Sequence, residues 1–269
     1  MRCKSFIPLA MLLLTSFANK NALPSKKIIM AMFAHPDDEI TVSPLLAKLA
    51  REGHTVYLVI ATKGDLGVSK HANIPAGDSL AHVRAREAAC ACERLGIQAP
   101  VLLQLGDGTL AKDFTGKPLH DKLDSILRVY KPDIVITWGP DGGYGHMDHR
   151  LVHDVVTELF QSGAYAKPAQ LYYTGFPADI RLQSIQFKTA DMKQVAASWS
   201  LVKKEYLTTR VHCNKQDLEK AASALRCHRS QYSADQMDDI GAIMFQSTGD
   251  TVYLRSFKPA IKISYEVGK

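Results

Sequence analysis

The chain has 269 residues, of which 46% are hydrophobic and 22% charged, and a formal net charge of +6. That length and apolar content suit a single α/β domain with a substantial core, and no low-complexity block, long linker or internal repeat divides it. The basic residues are scattered, with no aromatic platform beside them, which argues against a nucleic-acid stripe and for a partner other than nucleic acid.

In chain order, Arg2 and Lys4 precede an apolar run from Phe6 to Ala18. The run is short of the ~20 residues that cross a bilayer, and Ser16-Phe17-Ala18 carries small residues at signal-peptidase spacing. The expectation is a signal peptide over 1–18, with Ala22 as a second site. An exported protein, periplasmic or secreted, with no stable membrane span after cleavage would follow. Residues 19–269 then form one domain.

Ile28 to Ala34 is an uninterrupted apolar stretch and predicts a strand buried on both faces. It stops at His35-Pro36-Asp37-Asp38-Glu39. Leu45, Leu46, Leu49 and Ala50 recur at helical spacing until Gly53, and His54 to Ala61 is a second, β-branched strand. Thr62 to Pro75 is a glycine-bearing loop, Asp78 to Leu95 a long helix closed by Gly96, and Val101 to Leu105 a third strand. A helix over Leu119 to Tyr130, stopped by Pro132, leads to a fourth strand, Ile134 to Trp138. Leu151 to Gln161 is helical and Leu171 to Phe176 is a fifth strand. This alternation predicts a Rossmann-like α/β fold: a mostly parallel sheet of about five or more strands with helices on both faces. Beyond Pro177 the pattern weakens. Helices are expected over Trp199 to Tyr206 and Asp217 to Leu225 and a strand over Thr251 to Phe257, with 177–269 forming an irregular cap.

Acids placed directly after a core strand cannot enter the interior unpaired, because an uncompensated buried carboxylate is costly. They belong at the strand's carboxyl end, where open α/β sheets keep their ligand crevice. His35 with Asp37 and Asp38 at such an edge suggests a divalent metal, zinc before others. Directly after the fourth strand, Gly139 to Gly145 turns sharply into His146-Met147-Asp148-His149. Two imidazoles three residues apart at a helix opening share one face, and Asp148 is free to orient a ring or cap the helix. Where the first strand neighbours the fourth, the two loops meet. Neither nucleotide fingerprint fits the glycines. Cys90 and Cys92 cannot bridge each other, whereas Cys213 and Cys227 flank a helix and are candidates to pair.

Ala34-His35-Pro36-Asp37-Asp38-Glu39 with Gly145-His146-Met147-Asp148-His149 resembles the PIG-L/LmbE family of zinc-dependent de-N-acetylases. Thr62-Lys63-Gly64-Asp65-Leu66-Gly67, Arg84 to Glu87 and His228-Arg229-Ser230-Gln231 add to the likeness, in the family's order. The family commonly has Pro where this chain has Met147. The resemblance implies one Zn2+ held by His35, Asp38 and His149, with Asp37 as general base and His146 steadying the oxyanion or protonating the amine. It implies Arg84 as a pocket residue contacting substrate, with Asp148 and His228 supporting the site from behind. Glu39 is expected to open the following helix, where its charge suits the dipole. The implied reaction removes acetyl from a small N-acetylglucosamine-type sugar or glycoconjugate. An idle carbohydrate- or envelope-binding protein, or an amidase on a non-sugar amide, are the alternatives.

Overall fold

A computed structural model of the chain describes residues 25–112, 116–162, 168–180 and 182–257. The expected signal peptide over 1–18 lies outside the described residues.

The elements run β1 (Ile28–Phe33), α1 (Ser43–Arg51), β2 (Thr55–Thr62), α2 (Asp78–Leu95), β3 (Val101–Leu105), α3 (Lys117–Tyr130) and β4 (Ile134–Thr137). A single turn, α4 (Gly142–Gly145), then precedes α5 (Met147–Gln161), β5 (Gln170–Thr174) and β6 (Phe176–Pro177). The chain continues through α6 (Ala190–Ser198), β7 (Leu201–Val202), β8 (Thr209–His212), α7 (Lys215–Leu225), α8 (Ala234–Gly241) and β9 (Thr251–Ser256).

Seven strands form one sheet in the order β3-β2-β1-β4-β5-β9-β8. The first five pair in parallel, and β9 and β8 add antiparallel at one edge. A parallel strand needs both faces covered, which is why β1 reads Ile-Ile-Met-Ala-Met-Phe without alternation. Ile29, Ala31 and Phe33 pack to one face with α1 and α2, and Met30 and Met32 pack to the other with α3 and α5. β1 lies between β2 and β4, so the order reverses at β1 and β4 and the loops after both strands open into one crevice.

The region after Pro177 departs from expectation in three ways. Trp199 to Tyr206 is not a helix: Leu201–Val202 pairs with Phe176–Pro177, and Lys204–Tyr206 is one tight turn. The helices α6 and α8 were not legible as such. β8 and β9 complete the central sheet, so the cap consists of the segments between and before them. Its own small core joins Met192, Ala221, Leu225, Met237, Ile240 and Phe245 to Ile40 at the crevice wall.

The cysteines also pair otherwise than expected. Cys90 on α2 bonds Cys227 just beyond α7, with Cα atoms 5.9 Å apart, while Cys92 and Cys213 are free and buried. The 11 residues of α7 hold Cys213 and Cys227 at opposite ends, about 16 Å apart by helical rise. Among the described residues no helix is long and apolar enough to cross a membrane.

Candidate metal centre and active site

Asp38 is the centre of the site. Its Oδ2 accepts three hydrogen bonds, from the backbone N–H of Ala34 (3.0 Å) and His35 (2.9 Å) and from the Trp138 indole N–H (3.0 Å). Oδ1 faces His149 Nε2 at 3.3 Å. Burial works to raise the Asp38 pKa, but the His149 and His35 rings beside it hold it well below the usual carboxylate range.

His149, in the first turn of α5, is stacked on Trp138 with ring centroids 4.1 Å apart. Its Nδ1 lies 3.0 Å from the Gly142 carbonyl. A carbonyl can only accept, so Nδ1 carries the proton and Nε2 presents a lone pair. His35 is arranged in the mirror sense. Its Nε2 lies 3.2 Å from Asp107 Oδ1 and 3.5 Å from Asp148 Oδ2, and its Nδ1 lies 3.0 Å from His149 Nε2. Carboxylates near Nε2 favour a proton on that nitrogen and leave Nδ1 to face His149. Two buried ring nitrogens 3.0 Å apart are held together by a shared proton or by a cation between them. Two imidazoles and one free carboxylate oxygen are a donor set that suits zinc with one position left open. The residues present therefore fit a divalent metal.

A wider set of donors surrounds this core. Ring nitrogens of His35, His146 and His149 lie within 4.8 Å of one another, as do donor atoms of His35, Asp107 and Asp148. Asp148 Oδ2 also accepts the Gly108 N–H at 2.8 Å, which ties the β3 loop to α5. His146 is the N-cap of α5, and its Nδ1 accepts the Asp148 N–H at 3.2 Å. That leaves the Nε2–H of the neutral ring as a donor on the crevice wall. Burial, then repulsion from His35 and His149, lowers the His146 pKa.

Asp37 stands beside this group with φ at 108°, a backbone region sparsely used outside glycine. Its N–H donates to Glu39 Oε2 at 3.1 Å, and Glu39 Oε1 lies 2.6 Å from His228 Nε2. Glu39 and His228 are both fully buried. Glu39 does stand in the first turn of a short 3-10 helix, Asp38–Thr41, as expected, and there it is a buried brace under Asp37. Burial opposes the charge on His228, but Glu39 outweighs it and raises the pKa. Asp37 Oδ2 accepts the Tyr232 hydroxyl at 3.0 Å and lies 3.0 Å from Arg84 Nη2. Burial raises the Asp37 pKa against the pull of Arg84.

Arg84, expected as a pocket residue, is on the cavity wall and also braces the site. It is buried, and its guanidinium donates to the Gly64 and Pro36 carbonyls while pairing with Asp37. A Cβ at Gly67 would lie 2.6 Å from its Nη1, so glycine in that loop makes room for it. Two residues escaped the sequence reading. Asp107 follows β3 as His35 to Asp38 follow β1, and that signal was available. Tyr232 reaches Asp37 from the cap across 195 residues, and nothing local in the sequence announces it.

Comparison with known proteins adds the following. Residues 30–160 match the family described as PIG-L, GlcNAc-PI de-N-acetylase. The chain is 31% identical over 242 residues to 1D-myo-inositol 2-acetamido-2-deoxy-α-D-glucopyranoside deacetylase 2 of Saccharopolyspora erythraea, covering 78% of this chain and 85% of that enzyme. N,N'-diacetylchitobiose deacetylase from Pyrococcus horikoshii has a similar fold, with a TM-score of 0.64 at 20% identity over 90% of this chain and 87% of that one. So does a 4-carboxy-2-hydroxymuconate hydratase from Pseudomonas putida, with a TM-score of 0.60 at 17% identity over 89% and 99%. The fold alone therefore does not choose the reaction. The first relative also corrects the expectation of an exported, periplasmic or secreted protein. It is named for a free inositol glycoside, a small sugar rather than an envelope or secreted glycan, and the expectation rested wholly on residues 1–18, outside the described residues.

Proposed function

We propose, from the premise that this chain belongs to the PIG-L family of GlcNAc-PI de-N-acetylases, that it is a metal-dependent hydrolase removing acetyl from a small N-acetylglucosamine-type sugar or glycoconjugate. The observation that carries the reading is the convergence of His35 Nδ1, His149 Nε2 and Asp38 Oδ1 beside a separate carboxylate, Asp37.

His35, Asp38 and His149 would hold the ion, with zinc preferred for its fit to two nitrogens and one oxygen. When bound, the ion supplies a Lewis acid that polarises the acetyl carbonyl and makes water acidic near neutral pH. Asp37 acts as general base. Its Oδ2 is held by Arg84 and Tyr232, so Oδ1 is the oxygen available to take the proton of the attacking water. His146 donates from Nε2 to the oxyanion that develops as the carbonyl becomes tetrahedral, a donor worth about 3 kcal/mol in comparable sites. The proton taken by Asp37 then returns to the departing amine. Asp107 and Asp148 keep the His35 proton on Nε2, and Glu39 with His228 fixes the Asp37 backbone.

Bound metal and acetate release are measured on wild type, His35→Ala and Asp37→Asn. Loss of metal and activity is expected in the first. In the second, retained metal with activity reduced about 10²-fold or more is expected. Full activity in Asp37→Asn would remove Asp37 from the base role.

A further inference from the structure

The crevice, about 340 Å³ in volume, has a lining of two kinds. Its polar groups include His35, Asp37, Asp107, His146 and Gln231. Its apolar groups include Ile40, two residues after Asp38, and Met192, Val195, Trp199, Ile243 and Met244 of the cap. Tyr144 stands between His146 and Trp199, its ring 5.9 Å from the first and 5.8 Å from the second.

Ile40, Met192 and Ile243 are buried, but Val195 is 36% exposed and Trp199 and Met244 are half-buried, so part of this apolar lining lacks protein cover. Ile243 and Met244 sit on a π-helical turn, Ala242–Gln246, where the widened helix presents consecutive side chains; such turns are frequent at functional sites. Methionines at 192 and 244 supply an adaptable surface suited to flexible hydrocarbon.

We infer that the apolar lining from the cap is an aglycone subsite for an alkyl or aryl substituent, and that the substrate is an N-acetylated sugar carrying an apolar group rather than a second polyol. The inference rests on the deacetylation proposed at the polar groups of the same crevice. A polyol against Val195, Met192 and Met244 would leave hydroxyls without partners, each costing free energy on desolvation. A hydrocarbon there removes its own apolar surface and that of Val195, Trp199 and Met244 from water.

The test is a series of N-acetylglucosaminides with methyl, propyl, butyl and hexyl aglycones, together with the inosityl glycoside, on metal-loaded protein. Acetate release and quenching of tryptophan fluorescence are read in parallel, since Trp199 borders the subsite. Each added methylene is expected to raise kcat/KM about two- to fourfold, with the hexyl glycoside at least about thirtyfold above the methyl and also above the inosityl. Val195→Asp and Met244→Gln are each expected to flatten the series. Equal acetate release across the alkyl series, or preference for the inosityl glycoside, overturns the subsite while leaving the reaction intact. Chain-length-dependent quenching without acetate release from any member overturns the reaction while leaving the subsite intact. The wild-type series decides the matter even where a variant does not fold.

Discussion

Asp38 divides its two oxygens between two tasks. Three N–H donors hold Oδ2, so Oδ1 is left facing the histidines in one orientation. Asp37 is divided likewise, with Oδ2 held and Oδ1 open. Arg84 is central to that division because its planar fork reaches Asp37 and two carbonyls at once. A lysine has the charge but not the fork. Arg84→Lys is expected to lower kcat about tenfold or more while KM and metal content change little, since a misplaced base slows the step without loosening substrate. Acetate-release kinetics with metal analysis check this. A large rise in KM at unchanged kcat would mark Arg84 as a substrate contact after all.

At the scale of elements, α7 ties the cap to the sheet. Asn214 and Asp217 form a reciprocal capping box at its start, and Asp217 also receives Arg51 of α1 through two hydrogen bonds of 2.8 and 3.0 Å. The Asp217 side chain is fully shielded from solvent. Burial works to raise its pKa, but Arg51 and the Asn214 N–H outweigh this and lower it. A carboxylate with a lowered folded pKa contributes stability above its unfolded value near 3.9, and loses it as pH falls through the lower folded value. Asp217→Asn is therefore expected to cost about 2–3 kcal/mol at pH 7, seen as a lower Tm. The gap between wild type and variant should shrink below about pH 4; a gap constant from pH 7 to pH 3 would exclude the ionic origin. The Cys90–Cys227 link joins the far end of α7 to α2 next to His228, so both ends of this helix are fastened under the site.

For the whole molecule, the site is made by segments distant in sequence: loops after β1, β3 and β4, with Tyr232 and His228 from the cap. An ion bound by the folded arrangement and not by the open chain stabilises folding by mass action, about 2.7 kcal/mol at a hundredfold excess over Kd. Chelation is thus expected to lower Tm and abolish acetate release together, and added zinc to restore both. Unchanged Tm on complete metal removal would show that the ion is not coupled to the fold.

The sequence by itself determined the parallel sheet and the two loops that carry His35, Asp38, His146 and His149. Period, strand length and acids stranded at a strand end are local signals, and the parallel core makes them strong. It could not determine Tyr232 against Asp37, the Arg84 guanidinium shared between Asp37 and two carbonyls, or the pairing of Cys227 with Cys90. Those contacts join residues whose separation in sequence carries no periodic signal, and packing alone decides which way a long side chain turns. The short strands and turns after Pro177 were illegible for the same reason: Leu201–Val202 is a strand only because Phe176–Pro177 lies beside it.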